Sequence, residues 1–262
     1  MTKPFAYPLR NFRDLGGAPV SGGGRIRTGL LYRSAQFDRP SAREVRLIAD
    51  RGVTLAIDLR HDVEKAASDQ RLEAALPGLR GVSVSLTDII PDGETRSAMD
   101  LLSGVTSAAD ARRWMAAQFA DTVRRRRPQA LQVVEALMAN TQGASLFFCV
   151  AGKDRTGVVA ALLLMALGAP HAHVARDFDR TNRRIAGLPF LRLRSRTAKS
   201  QYDLSGVPNA VIDALADAHP LFLDAVYAVV DGEFGGVQPY LTGAGGIDPA
   251  LLADFRRRLI LA

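Results

Sequence analysis

Short apolar runs alternate with amphipathic stretches through the first two thirds of the chain. Val53-Thr54-Leu55-Ala56-Ile57-Asp58-Leu59 and Ser145-Leu146-Phe147-Phe148-Cys149-Val150 are apolar almost throughout, the pattern of strands covered on both faces. Gly81 to Leu86 supplies another strand, and Arg25 to Arg33 reads as an extended strand following the glycine turn at Gly22-Gly23-Gly24. Between them lie helical periods. Ser41 caps a helix running to about Asp50, and Glu44 three residues on completes a capping box. A second helix is predicted over roughly 62–75. Ala108 to Arg127 follows, then a helix opened by Pro128 and reaching about Asn140. Thr156 to Leu167 is the most apolar helix of all, whereas residues 88–105 are polar and loop-like. Beyond Pro170 the pattern is helical over about 170–186, 208–217, 219–231 and 249–260, interrupted by an arginine-rich stretch, 187–206, read as a loop or mobile element. Such alternation predicts an α/β fold: a central, mostly parallel sheet flanked by helices. Ligands in sheets of this kind sit at the carboxyl ends of the strands, where Asp58 and Cys149 both fall.

Composition narrows this picture. A chain of 262 residues with 47% apolar side chains suits a single α/β domain spanning 1–262, with a lid or mobile segment at about 187–232. The first ten residues lack the apolar core of a secretory signal, and the longest apolar run, Val158 to Ala169, falls short of the roughly 20 residues that cross a bilayer. The expectation is a soluble protein with no transmembrane segment, cytoplasmic by default, with a leaderless export route left open. The formal charge is +7, and its basic side is nearly all arginine, with lysine only at 3, 65, 153 and 199. Solvated basic faces account for this most simply; polyanion attraction at Arg124 to Arg127 or at Arg192, Arg194 and Arg196 is the sharper alternative. No aromatic side chains interleave these runs, which argues against nucleic-acid binding. One cysteine excludes a disulfide framework or a cysteine-based metal site.

That cysteine, Cys149, stands at a strand end, separated by five residues from Arg155, with Thr156-Gly157 opening the apolar helix. A short loop entering a helix turns backbone N–H groups inward and adds the positive end of the helix dipole, which together cradle a phosphate. The planar fork of Arg155 can hold two phosphoryl oxygens at once. The same positive field favours a thiolate, so Cys149 is the candidate nucleophile. The candidate phosphate-binding residues are Val150, Ala151, Gly152, Lys153, Asp154, Arg155 and Thr156. The Thr156 hydroxyl can donate to the sulfur as it leaves. A bound phosphate or other oxyanion is expected; the mechanism calls for no cofactor and no metal.

The string Cys149-Val150-Ala151-Gly152-Lys153-Asp154-Arg155-Thr156-Gly157 resembles the signature of the cysteine-dependent protein tyrosine phosphatase superfamily, in the form used by a bacterial and fungal branch of tyrosine/serine phosphatases. The resemblance runs nearly end to end. Asn11-Phe12-Arg13-Asp14-Leu15-Gly16-Gly17, Gly29-Leu30-Leu31-Tyr32-Arg33-Ser34, Asp58-Leu59-Arg60, Asp177-Phe178-Asp179-Arg180-Thr181-Asn182 and Gly235-Gly236-Val237-Gln238-Pro239-Tyr240-Leu241 each look like a segment of that branch. It implies a phosphatase-like fold with a helical lid over the active site, acting on phosphorylated protein, phosphotyrosine first and phosphoserine or phosphothreonine beside it. The Lys153-Asp154 pair also resembles phosphoinositide phosphatases, which adds lipid phosphate as a second substrate. One position departs from the family: Phe148 stands where it places a histidine that helps hold the thiolate.

Monoester cleavage needs an acid for the leaving oxygen and a base for the later water. Asp154, within the loop, and Asp58, at a neighbouring strand end, are the candidates, with Asp88 and Asp92 as alternatives. Asp58 could instead pair with Arg13 or Arg60. Arg13 and Asp14 are candidates to brace the loop. His171 and His173 read as surface residues. A competing reading is a phosphate- or phosphoinositide-binding pseudophosphatase that lost catalysis with the Phe148 replacement. A sulfur-transfer or arsenate-reducing role fits less well, since no second thiol is present.

Overall fold

The structure, a computed structural model, describes residues 11–37, 40–66, 72–86, 102–185 and 206–262. In chain order its elements are β1 (Arg13–Asp14), β2 (Arg25–Ile26), β3 (Leu31–Ala35), α1 (Ala42–Asp50), β4 (Val53–Asp58), α2 (Asp62–Ala66), α3 (Leu72–Ala75), β5 (Arg80–Ser83), α4 (Ala108–Arg125), α5 (Arg127–Ala139), β6 (Ala144–Cys149), α6 (Asp154–Ala166), α7 (His171–Ile185), α8 (Asn209–Ala216), α9 (Pro220–Gly232), α10 (Val237–Thr242), α11 (Pro249–Leu259) and β7 (Ile260–Leu261). Five strands form one sheet in the order β1-β3-β6-β4-β5. The inner pairings are parallel, and β1 runs antiparallel to β3 at the edge. This is the α/β architecture with a mostly parallel sheet. A two-stranded ladder, β2 with β7, closes a separate corner.

The register decides what meets at the sheet's carboxyl edge. Ala35 pairs with Cys149, and Asp58 with Phe148, so β3, β4 and β6 end level with one another. Alternation then splits the side chains between two layers. Leu55, Ile57, Leu59, Phe147 and Cys149 join the larger core beneath α6. Ala56, Leu146 and Phe148 join a smaller one with Tyr32 of β3, Ile48 of α1 and Leu72 of α3. Every residue of α6 from Thr156 to Ala166 is buried, as an all-round apolar helix must be. It lies between the sheet and the outer helices, while α8 and α9 pack chiefly on α4.

Ser41 caps α1 with Glu44 in a full capping box, and Pro128 sits in the first turn of α5, as the sequence predicts. Elsewhere the structure departs from the pattern. The single strand expected over Arg25 to Arg33 is broken into β2 and β3. The break lies at Gly29, whose φ of +84° turns the chain where a side chain would be strained. Asp14 staples this corner by accepting from the N–H groups of Gly16 (2.7 Å) and Gly29 (2.5 Å). The helix read over 62–75 is represented by α2 and α3, with 67–71 outside the described residues. The short α10 was not foreseen, because six residues following a glycine pair carry too little periodicity to register. Within the Arg124 to Arg127 run, Arg124 pairs with Glu233, and Arg127 donates to the carbonyls of Tyr240 and Ala244. No helix of the described residues is long and apolar enough to cross a membrane.

Candidate active site

Cys149 closes β6 and is 2% exposed. The chain then turns through Val150 to Lys153 and enters α6 at Asp154. The turn depends on Gly152, which has φ +65°. A Cβ there would lie 2.3 Å from the Ser34 carbonyl oxygen and 2.6 Å from the Ala35 nitrogen. Backbone therefore packs on backbone, and only glycine fits. No side chain caps the N-terminus of α6, which leaves its dipole end facing the loop, as an anion site requires.

Arg155, in the first turn of α6, is clamped by the Glu64 carboxylate of α2. Nη1 and Nη2 donate to its two oxygens at 2.5 and 2.8 Å, and Nη1 also reaches the Leu59 carbonyl at 3.3 Å. Burial alone would weaken the guanidinium as a base, but the Glu64 charge reverses this and holds its pKa above the ordinary arginine value. The fork is charged, and its plane is fixed by a bidentate partner.

Behind the loop lies a second, fully internal network. Asn11 Nδ2 donates to the carbonyls of Ala151 (3.3 Å) and Gly152 (3.0 Å). Arg33 Nη2 donates to Gly152 O at 2.7 Å and Lys153 O at 3.4 Å. Arg33 Nη1 and Arg13 Nε each lie 2.7 Å from the Asp177 carboxylate of α7, and Arg13 Nη2 reaches the Thr181 hydroxyl at 3.0 Å. Arg13 Nη1 also contacts Asn11 Oδ1. Burial, and then the neighbouring Arg13, pull the Arg33 pKa down to about 10, with Asp177 opposing them; it remains a cation at neutral pH. Two buried hydroxyls, Ser34 Oγ and Thr156 Oγ1, have no partner among the described residues.

The candidate carboxylates occupy different surroundings. Asp154 opens α6 with its side chain 40% exposed and Oδ1 3.2 Å from Lys153 Nζ. Asp58 lies on the sheet face of Phe148, where Arg60 chelates it through Nε (2.9 Å) and Nη2 (2.7 Å); of the two pairings the sequence allowed, the one to Arg60 is made. The Arg60 guanidinium also covers the Phe148 ring at 5.7 Å. Asp88 and Asp92 lie outside the described residues. Lys153 is buried, and its ammonium donates to the carbonyls of Leu215 and, at 3.0 Å, Asp217. It is tied to the end of α8 rather than standing free in the loop. His171 is exposed, near Asp224 and against Tyr227.

Sequence reasoning singled out the loop and Arg13 but missed Glu64, Asn11, Arg33 and Asp177 as individual residues. Three of these lie in the motif segments around 11–17, 29–34 and 177–182, which converge here from distant parts of the chain. Glu64 carries no comparable signal. It is one acidic residue in a helix's first turn.

A family model described as the tyrosine phosphatase family matches residues 7–261. A protein of Cupriavidus necator named as a candidate tyrosine-protein phosphatase is 32% identical over 251 residues, covering 93% of this chain and 84% of its own. The triple specificity protein phosphatase PtpB of Mycobacterium tuberculosis is 26% identical over 264 residues, covering 90% of this chain and 91% of its own. A tyrosine-protein phosphatase of Nostoc commune is 31% identical over 170 residues, 63% of this chain and 50% of its own.

Proposed function

Because the chain belongs to the tyrosine phosphatase family, we propose that it hydrolyses phosphate monoesters by in-line attack of the Cys149 thiolate. The sulfur forms a bond to phosphorus as the ester oxygen leaves, giving a phosphocysteine. Water then attacks that phosphorus, releasing inorganic phosphate and restoring the thiolate. The observation that carries this reading is the placement of the thiol. It stands at the carboxyl end of β6, before an uncapped helix N-terminus, with the Arg155 fork locked on Glu64 in the same loop.

The remaining roles follow from position. The loop amides and Arg155 hold the phosphoryl oxygens. The buried Thr156 hydroxyl, unpartnered among the described residues, donates to the sulfur when the phosphocysteine breaks. Asp154, part exposed in the loop, protonates the leaving oxygen and then takes a proton from the attacking water. Asp58 holds Arg60 on the opposite face of the sheet, which favours Asp154 over Asp58 as the acid.

Phosphotyrosine is the favoured substrate, with phosphoserine, phosphothreonine and phosphoinositides as further ones. The printed name of the mycobacterial relative, a triple specificity phosphatase, supports such breadth. The burial of Lys153 weighs against it meeting a second substrate phosphate without leaving α8. The pseudophosphatase reading rested on Phe148, whose ring packs edge-on with Phe37 in the core layer away from the thiol. Phe148 and Cys149 thus project from opposite faces of β6, and turnover is the better-supported reading.

Cys149→Ser should abolish hydrolysis of p-nitrophenyl phosphate while leaving the fold intact by circular dichroism. Retained turnover would exclude the thiol as nucleophile.

A further inference from the structure

We propose that Asn11 and Arg33 are positioning residues that aim the phosphate loop, and that Arg33 with Arg13 also supplies the positive charge that the loop's own cations lack. The proposal rests on the phosphatase reading and deepens it.

A trans peptide is planar, so the carbonyl oxygen of one residue and the N–H of the next point in opposite directions. Asn11 and Arg33 hold the carbonyls of Ala151, Gly152 and Lys153 on the interior side of the loop. The N–H groups of Gly152, Lys153 and Asp154 are thereby turned the other way, toward the space where the phosphoryl group would sit. Asn11 is the one non-glycine residue with positive φ among the described residues, at +59°. Asparagine tolerates that conformation better than most side chains, and here it brings the amide beneath two successive carbonyls.

Charge balance makes the same pair important for a second reason. At the loop Arg155 faces Glu64 and Lys153 faces Asp154, so each cation is matched by a carboxylate as long as Asp154 is ionised. Behind it Arg13 and Arg33 share the single carboxylate of Asp177. Two guanidinium groups against one carboxylate leave one positive charge in surplus, buried and therefore weakly screened. That charge acts on the Cys149 sulfur, so the thiolate and the phosphoryl group it attacks are together its natural complement.

The test compares Asn11→Gly, which removes the amide at a backbone angle glycine adopts freely, with Arg33→Lys, which keeps the charge but loses the fork. Steady-state hydrolysis of p-nitrophenyl phosphate, competitive inhibition by tungstate and thermal melts are measured together. Each variant should raise the tungstate inhibition constant by about tenfold or more, the equivalent of one charge-assisted hydrogen bond, while retaining a cooperative melt. A purely structural role would lower the melting temperature and leave tungstate inhibition of the folded enzyme unchanged. Inhibition within twofold of the unmodified protein in Asn11→Gly overturns the proposal, whether or not Arg33→Lys folds. Absence of turnover in the unmodified protein would instead count against the phosphatase reading itself, and tungstate binding by the variants, measured calorimetrically, would still decide the positioning role.

Discussion

Two guanidinium groups converge on the Asp177 carboxylate, one from β1 and one from β3, in the interior of the molecule. Burial alone would raise the pKa of this carboxyl, but Arg33 and then Arg13 outweigh it and hold the group below the usual carboxylate range. The folded state therefore gives up this proton more readily than the unfolded chain, where the value is about 3.9. The stabilisation is complete above that unfolded value and drains away as pH falls through the lower folded one. Asp177→Asn should melt well below the unmodified protein at pH 7, and the gap should narrow as the pH falls below the unfolded value. Melts at successively lower pH check this; a gap of constant size would mean that the carboxylate charge contributes nothing.

The turn from Cys149 into α6 is an element shaped by what it packs against. Gly152 abuts β3 so closely that even a methyl group meets the backbone of Ser34 and Ala35. Gly152→Ala should cost about 1–2 kcal/mol for the left-handed backbone alone. Turnover should fall further than stability, because the strain is relieved by rotating the loop amides. Parallel measurement of kcat/KM and the thermal midpoint separates the two, and equal proportional losses would contradict this account. The loop was legible in the sequence because its chemistry is local: thiol, helix start and arginine all lie between Cys149 and Arg155. The strands β4 and β6 and the helix α6 were legible because each is apolar along most of its length. Glu64, by contrast, meets Arg155 across 91 residues, and Asp177 meets Arg33 across 144. Such pairings leave no periodic trace. The assignment of Asp58 to one face of β4 likewise needed the ladder register, which a single strand does not encode.

At the scale of the whole molecule, Lys153 joins the loop to the helical pair α8 and α9. Its ammonium donates to two carbonyls at the end of α8, the negative end of the helix dipole, and lies 5.7 Å from the Phe222 ring of α9. The segment expected to form a lid is thus, in its described part, docked beside the loop through a loop residue. Lys153→Met removes this anchor but keeps an apolar stem of similar length. Amide hydrogen exchange over 209–217 should then accelerate by about tenfold or more, with α6 unaffected. Unchanged exchange in α8 would show that packing on α4 alone holds the pair.

The distances along the chain that these contacts span also set an order of events during synthesis. Asn11, Arg13 and Arg33 leave the ribosome long before the loop they support, and Asp177, which neutralises part of their charge, comes after it. Until that helix emerges, two arginines lack their buried counter-ion and the loop carbonyls lack a settled clamp. The β2–β7 ladder closes later still, when residues 260–261 reach Arg25 and Ile26. A nascent chain stalled before α7 would hold Cys149, Arg155 and Glu64, yet lack the Asp177 carboxylate that ties Arg13 and Arg33 together behind them. Assembly of the proposed site therefore waits on the synthesis of α7.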